Sequence, residues 1–229
     1  MDAFVESLLE ELNCEAVFTI PVLGGIPVLE SVVVTWIIMA FLTLLSIVLV
    51  RNLKVENVGR KQLMLETAVG GLYRFFENTV GSHGRKYIPY LITASLYIAI
   101  ANLMGLFGFK PPTKDINVTI ALALLSIILI EVAGFRQKGL KGWLKGFARP
   151  IPIMLPINIL ELFIRPLSLC MRLFGNVLGA FVVMELIKLL IPAVVPVAFS
   201  LYFDIFDGLI QAYVFVFLTS LFVGEALEE

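Results

Sequence analysis

Nineteen consecutive residues, Val32 to Val50, carry no charge, and Arg51 and Lys54 follow directly. As a helix such a run reaches across the ~30 Å hydrocarbon core of a bilayer, at ~1.5 Å per residue. The pattern recurs along the chain. Residues 88–109 open after Arg85 and Lys86 and stop at Lys110-Pro111-Pro112; 117–135 contain a single acid, Glu131. Residues 157–191 and 197–223 are two further apolar stretches, separated by a turn at Pro192 to Pro196. Backbone groups in lipid must be satisfied within their own segment, so these runs are predicted to be helices. The sequence therefore predicts an all-α membrane protein, a single membrane domain over 1–229 with five transmembrane helices. At 35 residues, 157–191 would measure ~50 Å, too long to stand upright, so a steep tilt is expected. The short turn after it makes the last two membrane helices a long antiparallel hairpin. Composition agrees: 59% of residues are hydrophobic and 15% charged, against about 25% charged in soluble domains.

Twelve of the seventeen Lys and Arg residues fall in 51–86 and 136–149, which marks those loops as cytoplasmic. The N-terminus is then outside, with 1–31 an external segment, and the C-terminus cytoplasmic. Residues 60–80 place Leu63, Val69, Leu72, Phe76 and Val80 at mostly helical spacing beside Arg60, Lys61, Arg74 and Glu77, the pattern of an amphipathic interfacial helix. The first seventeen residues hold five acids and no base, unlike a signal or transit peptide. A net charge of -1 with scattered basic residues argues against nucleic acid and leaves the lipid bilayer as the partner that composition implies. Cys14 and Cys170 lie too far apart for a metal-ligand spacing. No internal repeat is evident.

Polar residues inside apolar helices are costly and point to function. On one helix, Glu161, Arg165, Ser168, Arg172 and Asn176 share an arc of about 80° at ~100° per residue. Arg165 also fits an arginine that snorkels to the interface. Arg172 is deeper, and a lipid-facing charge there would cost at least ~2.5–3.5 kcal/mol, so it should face protein or water. Ser200, Asp204, Asp207 and Gln211 line one face of the last helix; Asp207 could also be solvated at the outer interface. The hairpin should bring Arg172 within reach of that lane. Glu185 and Lys188, three apart, are expected to be a mutual structural pair. Asn102 either lines a polar path or satisfies a backbone carbonyl. Gly175 and Gly179 permit close approach of another helix, from this chain or a partner. His83, in a Gly-Ser-His-Gly loop, should be solvated.

No phosphate-binding glycine loop or nucleophile signature occurs, and one histidine excludes a multi-histidine metal site. No enzyme chemistry, cofactor or metal is expected of this chain alone. Ion movement remains: acids and amides relay protons or hold a cation, while arginine stays charged throughout and cannot pass a proton on.

The run Leu167-Ser168-Leu169-Cys170-Met171-Arg172-Leu173-Phe174-Gly175-Asn176 resembles the SLxxRLFGN helix of the subunit a family of rotary F-type ATP synthases. Ala101 to Leu106, Pro111 to Thr119, Pro156 to Glu161 and Gln211 to Phe215 extend the likeness over all but the first thirty or so residues. The resemblance implies a non-catalytic stator subunit in a bacterial cell membrane. Its partners would be the c-subunit ring and the peripheral stalk b subunits, with two offset half-channels coupling H+ or Na+ flow to ATP synthesis. It implies that Arg172 is the arginine between the half-channels, favouring the ionised form of a ring carboxylate so that it releases its ion. Gln211 would face that arginine, Asn176 lie one turn on, Ser168 tune the surroundings, and Glu161 lie on the cytoplasmic outlet side. Asp204 stands where relatives carry His or Glu. Many relatives also have a glutamate five residues after the Gly-Asn pair, where this chain has Phe181. Asp204 and Asp207 are expected to supply the inlet relay instead. An independent secondary ion transporter or channel is the alternative, though the broken-helix repeats common in transporters are absent.

Overall fold

The computed structural model describes residues 16–20, 26–51, 53–54, 59–146, 153, 155–190 and 195–227. It is helical apart from one hairpin. Five of its helices are long and apolar enough to cross a membrane: Glu30–Val50, Ser82–Phe107, Ile116–Leu140, Leu155–Lys188 and Leu201–Leu227. Cys14 and the loop prolines Pro192 and Pro150 lie outside the described residues.

The hairpin pairs β1 (Ala16–Ile20) with β2 (Ile26–Leu29) antiparallel. It occupies a segment for which the sequence reading set out no secondary structure. Alternating β-branched residues on either side of Pro21, Gly24 and Gly25 carry a hairpin signal. Helix α1 (Glu30–Val50) follows at once, burying Ser31, Val34 and Ile38 and leaving most of its apolar surface exposed. Helix α2 (Arg60–Val80) is the amphipathic one: Met64 is exposed, while Phe76 and Val80 are buried. Its C-terminal half docks on the last helix at Gly224, where an added Cβ would come within 3.1 Å of the Thr79 carbonyl oxygen.

A 3-10 turn, Ser82–Tyr87, leads into α3 (Ile88–Leu103), which carries Pro89 in its first turn, where a missing N–H costs nothing. Gly108, at φ 79°, ends the 3-10 extension Met104–Phe107, a conformation that glycine adopts without strain. Helix α4 (Ile116–Gly146) starts on Asp115, whose carboxylate accepts hydrogen bonds from the Asn117 backbone N–H at 2.9 Å and from Ser31 Oγ at 2.5 Å. An acid at this position satisfies free N–H groups of the first turn. Helix α4 continues beyond 135 and breaks at Gly139, φ 68°.

Helix α5 (Leu155–Leu190) runs 36 residues through Pro166, or ~54 Å at ~1.5 Å per residue. Helix α6 (Val195–Ser200) passes into a π-helical stretch, Leu201–Asp207, and then α7 (Gly208–Leu227). The pairs Arg165 with Glu225 and Asn176 with Gln211 set α5 and α7 antiparallel. Yet α7 packs chiefly against α3 and α4 and touches α5 more sparsely. Phe215, Val216 and Val223 are buried in this packing with Ile98, Ala101, Ile130 and Ala133. One side of α5 is therefore left uncovered: Leu160, Phe163, Ile164, Leu167 and Met171 are exposed.

Candidate functional site

Two cavities lie at opposite ends of α5. At its Lys188 end, a cavity of about 560 Å³ is enclosed by α3 and the turn after it, α5 and the α6–α7 segment. Asn102, Glu185, Lys188, Asp204, Asp207 and Gln211 line it. At the other end, a cavity of about 280 Å³ lies between α4, α5 and α7, lined by Glu131, Lys138, Trp143, Glu161, Arg165 and Glu225 among others. On α5 the linings stop at Arg165 and resume at Val177, a separation of ~18 Å at ~1.5 Å per residue.

Arg172 stands in that gap and lines neither cavity. It is half-buried, and among the described residues no carboxylate lies within salt-bridge distance of it. Three of the other four members of the polar arc, Glu161, Arg165 and Asn176, have local partners. Arg165 donates to Glu161 and to Glu225, each at 3.0 Å, and lies over the Phe222 ring at 4.9 Å. It therefore bridges α5 to α7 and is more than an interfacial anchor. Ser168 is exposed and one turn from Arg172. Asn176 Nδ2 donates to Gln211 Oε1 at 2.6 Å. The lane on the last helix thus meets α5 at Asn176, one turn beyond Arg172.

Gln211 is buried, 3% exposed, and its Nε2 is without a hydrogen-bond partner among the described residues. An unpaired buried donor of this kind costs ~1–3 kcal/mol. The cost is offset when a further acceptor reaches the cavity.

Asp204 and Asp207 are half-buried on the π-helical stretch. Ser200 Oγ donates to Asp204 Oδ2 at 2.7 Å. The opposite wall comes close because residue 105 is glycine: an added Cβ there would be 2.6 Å from Asp204 Oδ1. Wider than an α-helix, the π stretch alters the 100° spacing assumed for Asp204 and Asp207, and π segments are frequent at functional sites.

Asn102 uses both ends of its amide. Nδ2 donates to the Gly208 carbonyl at 2.9 Å, and Oδ1 accepts from Thr113 Oγ1 at 2.8 Å. It pins α3 to the turn before α4 and to the junction where π-helix becomes α-helix, while also lining the larger cavity. Gly208 permits this contact, since a Cβ would sit 2.9 Å from Asn102 Cβ.

Sequence reasoning missed several cavity residues. Glu185 and Lys188 do pair, at 2.6 Å, but they also line the larger cavity. Glu131 accepts from Trp143 Nε1 at 2.8 Å and lines the smaller one. Glu225 reads as a terminal acid, because its partner Arg165 is sixty residues away. Lys114 is buried with its ammonium 3.5 Å from the Phe181 ring centre. Its position beside two prolines carried no hint of burial. Within the described residues no cluster of three metal-ligating side chains occurs.

The profile of the ATP synthase A chain family matches residues 32–224, which reach into all five apolar helices and include Arg172. The chain belongs to this family. A curated relative in Moorella thermoacetica, ATP synthase subunit a, is 37% identical over 204 residues, covering 88% of this chain and 92% of its own length. Another, ATP synthase subunit a 1 of Pelobacter propionicus, is 38% identical over 205 residues, with 87% and 88% coverage. ATP synthase subunit a, sodium ion specific, of Propionigenium modestum is 34% identical over 215 residues, with 87% and 74% coverage. As a member of the ATP synthase A chain family with five membrane-length helices, the protein is an integral membrane protein of ATP synthesis and ion transport.

Proposed function

We propose that this chain is the stator subunit a of an F-type ATP synthase, one membrane domain in a bacterial cell membrane that forms two half-channels against a ring of c subunits. The observation that carries the reading is Arg172: a half-buried charge in the gap between two polar cavities, with no acid beside it among the described residues. A charge placed there at such cost has its partner elsewhere. The uncovered side of α5 supports a ring carboxylate as that partner, since among the described residues a Cβ added at Gly175 or Gly179 would meet nothing within 4 Å.

In this mechanism the larger cavity is the inlet from outside. An ion passes Asp204 and Asp207, is guided by Asn176 and Gln211, and neutralises a ring carboxylate, which can then turn into lipid. Arriving at Arg172 from the other side, the carboxylate meets a fixed positive charge that favours its ionised form, and the ion leaves by the smaller cavity past Glu161. Arg172 also repels any cation moving straight between the cavities. Each charge crossing yields ~2.3 kcal/mol per 100 mV, so leakage would dissipate the drive for synthesis. The chain itself makes no bond of ATP. The N-terminus outside and C-terminus cytoplasmic, with the peripheral stalk b subunits holding the chain against rotation, complete the reading. The sodium-specific name of the Propionigenium relative makes Na+ a candidate ion beside H+. ATP synthesis measured at varied sodium concentration decides between them.

Arg172→Ala is expected to reduce ion-driven ATP synthesis by the assembled enzyme to background while leaving ATP hydrolysis by the catalytic sector. Synthesis at the normal rate in membranes carrying the variant would overturn the assignment.

A further inference from the structure

Three carboxylates line the larger cavity, and Glu185 is the one of them with a lysine in hydrogen-bonding contact, Lys188 at 2.6 Å. Glu185 is the more enclosed of the pair, its side chain 20% exposed against 54% for Lys188. The pair sits four to seven residues beyond Phe181 on the same helix. Position 181 cannot serve the relay, because a phenyl ring has no group that binds or releases a proton or cation; the Lys114 ammonium lies over it. One helical turn on, ~6 Å along the axis, Glu185 presents a carboxylate on the same face. A cluster of acids alone would be an ordinary polar lining. The wall of this cavity, however, also holds Gln211, whose buried Nε2 has no hydrogen-bond partner among the described residues and asks for an acceptor or solvent to reach it.

We propose, resting on the stator reading above, that Glu185 is the first carboxylate of the inlet path and Lys188 its exchangeable counterion. An arriving ion displaces the Lys188 ammonium from Glu185, and the ammonium swings back when the ion moves inward to Asp204 and Asp207. Lys188 sets how much external ion is needed, because it competes for the same carboxylate. The charged groups that face Glu185 are Lys188 on α5, Asp204 and Asp207 on the π stretch, and Lys110 on the turn after α3, itself 3.9 Å from Glu30. Lys188 lies near enough to act on Asp204 as well. A pair that only strengthened the end of α5 would not need to line the cavity.

The test uses the whole enzyme reconstituted in liposomes, with outer pH and outer sodium varied in turn and ATP synthesis followed. Glu185→Gln is expected to slow synthesis at least about tenfold and to raise the external ion concentration for half-maximal rate. The loss is smaller than the 10²–10⁴ a positioned proton-transfer group typically supplies, because Asp204 and Asp207 remain. Lys188→Gln is expected to lower the external ion concentration for half-maximal rate, since the competing ammonium is gone. The double variant separates relay from scaffold: a relay carboxylate predicts that it keeps the slow phenotype of Glu185→Gln, whereas a structural pair predicts recovery once neither charge is left alone. Wild-type rate and ion dependence in Glu185→Gln, or recovery in the double variant, would overturn the proposal. If Arg172→Ala still abolishes synthesis in that event, the stator reading stands and only the role of Glu185 falls.

Discussion

At the scale of single residues, the site is defined by which polar atoms are satisfied. Arg172 was legible in the sequence because its cost in lipid is independent of the fold. Asn102 stood out as an amide within an apolar helix, but its partners did not, since nothing local shows that the amide reaches Gly208, over a hundred residues away, and Thr113. Asn102→Ala is expected to lower stability by ~1–3 kcal/mol, the price of leaving a buried carbonyl and hydroxyl unpaired. The midpoint of thermal inactivation of the purified enzyme should fall accordingly, and an unchanged midpoint would mean that water replaces the amide. Gly105 is the complementary case. A Cβ 2.6 Å from Asp204 Oδ1 forces the carboxylate aside, so Gly105→Ala is expected to slow ion-driven synthesis several-fold with assembly intact. Equal rates for the variant and the parent would place Asp204 off the ion path.

At the scale of elements, the membrane helices could be read because their length and apolarity are set by the bilayer rather than by contacts within the chain. The π-helical stretch, Leu201–Asp207, could not. Its extra width comes from backbone register, and the apolar and polar residues of Leu201 to Asp207 fit an α pattern equally well. The short connection does set α5 and α7 antiparallel, but it could not show that α7 packs more extensively on α3 and α4 than on α5. That weaker packing leaves the Gly175 and Gly179 side of α5 open. Among the described residues, Gly179→Leu therefore meets nothing within 4 Å of the new Cβ outside its own helical turn, and the subunit is expected to fold and insert normally. Against a closely apposed ring helix the same side chain would clash. Co-purification of the c ring with the variant should be reduced or its synthesis rate lost; full retention of both would show that lipid, not the ring, covers this face.

For the whole molecule, the arrangement that matters is two cavities at opposite ends of one long helix with an arginine between them. In the orientation proposed above, with the basic loops cytoplasmic, the Lys188 end would face the outside and the Arg165 end the cytoplasm. Each cavity includes a half-buried lysine, Lys110 at one end and Lys138 at the other, so each can be probed with the same chemistry. In a background with Cys14 and Cys170 replaced, Lys110→Cys and Lys138→Cys enzymes are treated with a membrane-impermeant thiol reagent applied to one face of sealed vesicles. Reagent from the outside is expected to modify Lys110→Cys and spare Lys138→Cys, and reagent from the cytoplasmic face to do the reverse. Adding Arg172→Ala to each variant extends the test. Loss of the separating charge should let ions pass between the compartments while each cysteine keeps its own sidedness, because the reagent is far larger than the ion. Labelling of both positions from a single face would place the two cavities in one continuous path, and a single path cannot convert an ion gradient into rotation.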